Sequence, residues 1–174
     1  MFGFKMDFSI RPPKAEDFND LFRMVTELSL HEKSSDLQVS REELMQELFC
    51  ESPSLQCLVA KIPDHCKTHQ GHTVVAYVLY TNAYCTWNGR AVYLGDFYVM
   101  PECRGKGIGK GLLSTVAKKA KEQLCAIMLT EMREMTPLIE FYMAKGAEDL
   151  KLTERRHFLR FDGDAVDQLA QGAN

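Results

Sequence analysis

Apolar positions alternate along some stretches of the chain and recur every three or four residues along others, which divides it into strands and helices. The most informative stretch runs from Tyr93 to Leu113, YLGDFYVMPECRGKGIGKGLL. Tyr93–Val99, rich in aromatic and β-branched residues, predicts a buried strand that Pro101 stops. Arg104-Gly105-Lys106-Gly107-Ile108-Gly109 forms a glycine loop, and a helix follows with Ile108, Leu112, Leu113, Val116, Ala117 and Ala120 on one face. Upstream, Phe8–Arg11 reads as a short strand ended by Pro12-Pro13. Ala15–Leu30 reads as an amphipathic helix with Phe18, Leu21, Phe22, Val25 and Leu28 on its apolar face, and Glu16 and Asp17 suit its positive end. Ser34–Asp36 is a loop, after which Ser40 caps a helix over Arg41–Phe49 with Glu43 completing a capping box. Leu55–Ile62 is a strand and Pro63–Gly71 a loop. Thr73–Tyr84 is a long strand that turns through Trp87-Asn88-Gly89 into Arg90–Val99 as a hairpin. A strand near Ala126–Thr130, a helix over Thr136–Lys145 stopped by Gly146, a last strand within Lys151–Asp162 and a polar tail from Gly163 to Asn174 complete the pattern. This order predicts an α/β fold, a mixed sheet with helices on both faces.

Composition narrows the picture. With 174 residues, 45% of them hydrophobic, the chain reads as one globular domain, a size that buries about 70% of its unfolded surface without cross-links. Six cysteines, at 50, 57, 66, 85, 103 and 125, form no CxxC pair. The N-terminal MFGFKMDF is too short for a signal core, so reduced thiols and a cytoplasmic location are expected. No run approaches a membrane span. A net charge of −3 argues against general nucleic-acid binding and favours a small cationic substrate. His65, Cys66, His69 and His72 lie in a polar loop and follow no known ligand order, so no metal is expected. Lys118, Lys119 and Lys121 form a solvated helix end that complements the helix dipole.

A strand, a glycine loop and a helix N-terminus together make an anion site. Unpaired amides point outward, the dipole adds positive charge, and glycine admits close approach. Arg104, Lys106 and Lys110 add formal charge, and the anion that fits is a pyrophosphate. A P-loop fails because Lys110, not glycine, stands five residues after Gly105, and glycines at 105, 107, 109 and 111 do not fit a dinucleotide fingerprint. What remains, Arg-x-x-Gly-x-Gly after a strand, resembles the acetyl-CoA loop of the GNAT acetyltransferases. Pro137-Leu138-Ile139-Glu140-Phe141-Tyr142 through Gly146-Ala147 resembles the helix end of the same superfamily. His31-Glu32-Lys33, Cys57-Leu58-Val59-Ala60, Tyr93-Leu94 with Asp96-Phe97, Val99-Met100-Pro101 and Asp149-Leu150 extend the likeness, from Ser9 to Asp162, to the spermidine/spermine N-acetyltransferase family, which includes relatives acting on thialysine.

The resemblance implies a GNAT fold and acetyl transfer from acetyl-CoA to a primary amine in a ternary complex, commonly in a homodimer with strands shared between subunits. It implies that Arg104, Gly105, Lys106, Gly107, Ile108, Gly109 and Lys110 hold the cosubstrate, with Pro137 and the backbone of Phe97, Tyr98 and Val99. Tyr142 matches the family's general acid; an ordinary phenol near 10 protonates a thiolate near 8.5 at a cost of about 2 kcal/mol. The amine site implied comprises His31, Glu32, Trp87, Gly95, Asp96 and Glu154. An alkylamine near pKa 10.4 is neutral in only about one molecule in 2,500 at pH 7, a penalty of about 4.6 kcal/mol, and the family meets it with carboxylates. This chain departs from that pattern. It has Leu94-Gly95-Asp96-Phe97 where the family has Leu-Glu-Asp-Phe, and Tyr84-Cys85-Thr86-Trp87 where relatives have Tyr-Asp-Pro-Trp. It has Glu154-Arg155-Arg156-His157 where relatives carry an acidic pair, and Met135 in place of an asparagine. Each lost carboxylate weakens an ammonium contact by about 1.5–3 kcal/mol. Three readings stand at this point: a polyamine acetyltransferase, the same enzyme retuned to thialysine or another small amine, and an acetyl-CoA-binding paralogue with little polyamine activity that acts through protein partners.

Overall fold

A parallel strand pair cannot be closed by a tight turn and needs a crossover. In this protein that crossover is the helix that starts in the glycine loop. The computed structural model describes residues 7–31, 39–86, 89–125, 127–131, 136–153 and 164–171. Two compact units divide the chain, Met1–Glu131 and Met132–Asn174.

In the first unit, β1 (Ser9–Arg11), β2 (Leu55–Lys61), β3 (Val74–Cys85), β4 (Gly89–Val99) and β5 (Ile127–Thr130) form one sheet in the order β1-β2-β3-β4-β5. The first four pair antiparallel and β5 joins β4 in parallel, so the expected mixed sheet is present. Strands β1 to β4 begin and end within one residue of the expected bounds. The expected turn residues Trp87 and Asn88 lie outside the described residues, while Cys85 pairs with Gly89 across the hairpin.

Helices cover both faces. Helix α1 (Phe18–His31) buries Phe18, Leu21, Met24 and Val25. Met24 takes a fully buried place on the expected face, while Phe22 and Leu28 stay half-exposed at its margin. The helix starts later than expected because Ala15–Asp17 form a 3-10 turn. Helix α2 (Arg41–Phe49) has the capping box: the Ser40 hydroxyl accepts from the Glu43 amide at 3.2 Å and the Glu43 carboxylate from the Ser40 amide at 2.8 Å. Helix α3 (Ile108–Glu122) buries Ile108, Leu112, Val116 and Ala120 against the opposite face. Gly111 lets it sit close to β1, since a Cβ there would fall 2.8 Å from the Phe8 ring and 3.0 Å from Ile10 Cδ1. Among the described residues no helix is long and apolar enough to cross a membrane. Cys50, Cys57, Cys66, Cys103 and Cys125 are free thiols.

The second unit carries α4 (Thr136–Met143), α5 (Leu150–Thr153) and α6 (Asp164–Gln171). Gly146, at φ +91°, ends the turn after α4, as its glycine predicts. Asp149 caps the helical turn that opens this stretch: its carboxylate accepts from the Lys151 amide and its carbonyl from the Leu152 and Thr153 amides. The rest of the span expected to contain the last strand, 154–162, lies outside the described residues, and the polar tail contains a helix.

The entry to α1 is pinned electrostatically. Arg11 Nη1 and Nη2 donate to the buried Asp17 carboxylate at 2.6 and 3.0 Å, and the Lys14 amide donates to it at 2.7 Å. Burial pushes the Asp17 carboxyl up, but Arg11 and the Lys14 amide outweigh it and hold it below the usual range. A carboxylate with a depressed folded pKa contributes full stability above its unfolded value, about 3.9, and loses it as pH falls through the folded one. Asp17→Ala is therefore expected to cost about 3 kcal/mol at pH 7. In urea titrations the gap from wild type should close as pH drops below about 4. A gap that stays constant to pH 2 would show that the ionised pair is not what holds this corner.

Candidate active site

The glycine loop presents amides rather than side chains. Gly105 and Gly107 have φ +73° and +87°, and a Cβ on either would meet nothing within 4 Å. Left-handed backbone explains why glycine stands there, and the open space above it is what close approach of a ligand requires. Gly107 is the N-cap of α3 and offers no side chain to cap it. The first helical bond runs from the Gly111 amide to the Gly107 carbonyl at 3.0 Å. The amides of Ile108, Gly109 and Lys110 therefore lie in the first turn without an intrahelical acceptor, at the positive end of the dipole. Ile108 is buried and anchors the turn inward, while Lys110 is exposed and Lys106 half-exposed at its mouth. Arg104 has a second job beside its charge. Its Nε donates to the Val99 carbonyl at 2.9 Å and its guanidinium lies 5.9 Å over the Tyr98 ring, which fastens the loop to the end of β4.

The strand before the loop parts from its neighbour. β5 pairs with β4 only from Ala91 to Leu94, opposite Ile127 to Thr130, so Gly95–Val99 run on without β5 beside them. On the other edge, Val78 pairs with Phe97 and Tyr80 with Leu94, so Leu79 alone faces Gly95 and Asp96. That is a β-bulge, which re-aims the strand. The Met100 amide bonds the Val75 carbonyl at 2.9 Å. Backbone groups alternate along a strand, so those of Tyr98 also face β3, whereas those of Phe97 and Val99 face the side that β5 has left, where the Val99 carbonyl accepts from Arg104.

On the α1 face of this strand the polar side chains are connected. The Tyr98 hydroxyl donates to Glu27 at 2.8 Å, Arg23 bridges Glu27 at 2.5 Å and Asp20 at 3.5 Å, and His72 Nδ1 lies 2.8 Å from Asp20. Burial, then the bond to Glu27, pushes the Tyr98 phenol up to about 12, which makes it a brace and a poor proton donor. The buried Tyr77 hydroxyl donates to Asp96 at 3.1 Å. Burial, then the Asp96 carboxylate, pushes the Cys57 thiol up and keeps it inert. Tyr93 donates to Glu131 at 3.4 Å. Sequence reasoning missed Asp20, Arg23, Glu27 and Glu131. The first three sit at i, i+3 and i+7 of α1, a polar stripe beside its apolar face that was visible in the pattern. His72, weighed above for a metal, pairs with Asp20, and among the described residues no group of side chains could hold a metal ion.

The other expected residues are placed as follows. Gly95 is exposed, Asp96 half-buried, and His31 exposed as the last residue of α1. Glu32, Trp87 and Glu154 lie outside the described residues, as do Met135, Arg155 and Arg156. In the second unit Pro137 is exposed in the first turn of α4. Tyr142 is buried, its ring edge-on to Phe141 at 5.4 Å. Its carbonyl accepts from the Lys145 and Ala147 amides at 2.8 and 3.2 Å, which fixes the end of the helix that carries it.

Comparison with known proteins agrees with this geometry. The model of the acetyltransferase (GNAT) family matches residues 22–147. The chain is 40% identical over 163 residues to thialysine N-epsilon-acetyltransferase of Bos taurus, covering 92% of this chain and 96% of that protein. It is 30% identical over 166 residues to spermidine/spermine N(1)-acetyltransferase-like protein 1 of Homo sapiens, covering 94% of this chain and 24% of that protein. The structure of AAC(6')-Iy in complex with the bisubstrate analogue CoA-S-monomethyl-acetylneamine shares the fold, with a TM-score of 0.67 at 19% identity over 90% of this chain and 99% of that one. An uncapped glycine turn after a parted, bulged strand, together with a family match over most of the chain, leads to one conclusion: this protein is a GNAT-family N-acetyltransferase of the thialysine and spermidine/spermine acetyltransferase kind.

Proposed function

We propose that the protein transfers acetyl from acetyl-CoA to a small primary amine by direct attack in a ternary complex, with Tyr142 as general acid. The observation that carries this reading is that β4 loses β5 after Leu94 and is followed, one short turn later, by the uncapped helix start at Gly107. An amide-bearing arm such as pantetheine pairs with the side of a strand as another strand would, here along Phe97–Val99, where β5 no longer runs beside β4. Its pyrophosphate then meets the amides of Ile108, Gly109 and Lys110, with Lys106 and Lys110 supplying charge. Backbone amides near the bulge are suited to stabilise the tetrahedral oxyanion. The residues present thus fit the cosubstrate by backbone geometry.

The amine is of the thialysine type. Relatives bearing that name are 39–40% identical to the chain, against 30% for the spermidine/spermine-like one. The acids of the α1 face point the same way: Gly95 offers none, Arg23 neutralises Glu27, and Tyr77 engages Asp96. A polyamine, which needs several carboxylates, is the second reading, favoured by the net charge of −3. A cytoplasmic homodimer completes the proposal; the free thiols of the described cysteines suit a reducing compartment.

Acetyl-CoA consumption across thialysine, lysine, putrescine, spermidine and spermine tests the substrate, with thialysine expected to be turned over best; no consumption with any amine would overturn the reading. Gly107→Glu, which forces a side chain into left-handed backbone and a carboxylate against the anion, should abolish CoA binding in calorimetry while circular dichroism stays that of wild type; retained affinity would misplace the pyrophosphate. Tyr142→Phe should lower kcat by about a hundredfold or more with CoA affinity unchanged. A wild-type kcat would remove Tyr142 from the proton step.

A further inference from the structure

The bulge at Gly95 and Asp96 has a neighbour across the sheet. β5 pairs with β4 as far as Thr130 opposite Leu94, so the next residues on the two strands are Glu131 and Gly95. Neighbouring strands lie about 4.8 Å apart, and positions side by side share a face. The Tyr93 hydroxyl, 3.4 Å from the Glu131 carboxylate, places Glu131 on the face of Tyr93. Register places Asp96 and Tyr98 there too. Tyr93 pairs with Thr81 and Tyr98 with Tyr77, and β3 runs without a break between those two as it pairs with β2. The bulge is why Tyr93 and Tyr98, five positions apart, point the same way. This is the α1 face, since Tyr98 reaches Glu27.

Gly95 stands in the middle of this row without a side chain. Its backbone does not demand glycine: its φ is not positive, and a Cβ would meet only the Leu79 carbonyl at 3.7 Å. The missing side chain therefore leaves open space at the point where the strands part. Of the acids around it, Glu27 is shared between Arg23 and Tyr98, and Asp96 is engaged by the buried Tyr77. Glu131 is exposed and forms no ion pair among the described residues. Burial, then the Glu131 charge, pushes the Tyr93 phenol up, so Tyr93 stays a hydrogen-bond donor that orients the carboxylate.

We propose that Glu131 receives the ammonium group of the incoming amine across the gap at Gly95, and that Gly95 and Glu131 together set amine specificity. The inference rests on the amine-acetyltransferase reading above. A primary alkylammonium has three donors for the Glu131 carboxylate and the Tyr93 phenolic oxygen. One exposed carboxylate beside a cleared position suits one ammonium on a slender arm, not a row of them.

The test reads binding apart from transfer. CoA-saturated protein is titrated with thialysine and with spermidine by calorimetry, and turnover is followed separately. Glu131→Gln should weaken amine binding about tenfold or more and raise KM, with CoA affinity unchanged and kcat moved less. It should also flatten the salt dependence of amine binding. Gly95→Glu in the Glu131→Gln background moves the carboxylate back by one strand and should recover much of the loss. Wild-type amine affinity in folded Glu131→Gln, or a wild-type protein that binds neither amine, overturns the assignment. Amine binding that depends on Glu131 without acetyl transfer would count against the proposed function alone.

Discussion

Everything at this site depends on β4 losing β5 after Leu94 while β3 still holds its other edge. A strand edge is a row of backbone donors and acceptors that must find partners. In most sheets another strand supplies them. Here β5 ends its pairing partway along β4, and a bulge at Gly95 and Asp96 shifts the register with β3 at the same point. Gly111 and the buried Ile108 then decide where that helix begins, one by letting it press on Phe8 and Ile10, the other by filling the core under the turn. A strand edge and a helix start, joined by the turn at Pro101–Cys103, thus offer two sets of backbone groups, which recognise a chain carrying amides and a pyrophosphate better than charged side chains on flexible stems would.

A strand that its neighbour leaves partway along needs support from its faces. Tyr98 bonds Glu27, Glu27 is held by Arg23, and Arg23 meets Asp20, which lies against His72 from the loop before β3. Arg104 closes the set from the loop side through the Val99 carbonyl and the Tyr98 ring. The support has a cost: Arg23 Nε is buried without a hydrogen-bond partner, a loss of about 1–3 kcal/mol. Replacing this network with apolar side chains would remove the cost but also the directionality, and a strand that must stay parted from its neighbour is better fixed by directional bonds than by packing.

Local signals in the sequence were legible where the physics is local. The capping box at Ser40 and Glu43, the apolar face of α1 and the left-handed glycines at 105 and 107 follow from residues a few positions apart. The glycine loop was found by its spacing. What was not legible needed a partner far along the chain. Glycine at 95 reads equally as a weak strand position or a bulge until the register with Leu79 is known. Glu131 looked like any polar residue after a strand, because the significance of its place comes from Leu94 ending the β4–β5 pairing beside it.

The sparse acid around Gly95 also bears on the chemistry of the amine. A carboxylate that binds an ammonium stabilises its charged form and so raises the cost of producing the neutral nucleophile. A site crowded with acids gains affinity for a polycation and adds to the roughly 4.6 kcal/mol deprotonation penalty of an alkylamine at pH 7, unless one of those acids also takes the proton away. With Glu27 neutralised by Arg23 and Asp96 engaged by Tyr77, this face leaves one exposed carboxylate among the described residues, Glu131, whose field is damped by water. On the reading argued above, such a site gives up grip on a polycation and in return holds a single amine in a state from which it deprotonates more readily. The loss of a side chain at 95 and the presence of Glu131 one strand away then belong to the same shift, from holding charge to releasing a proton.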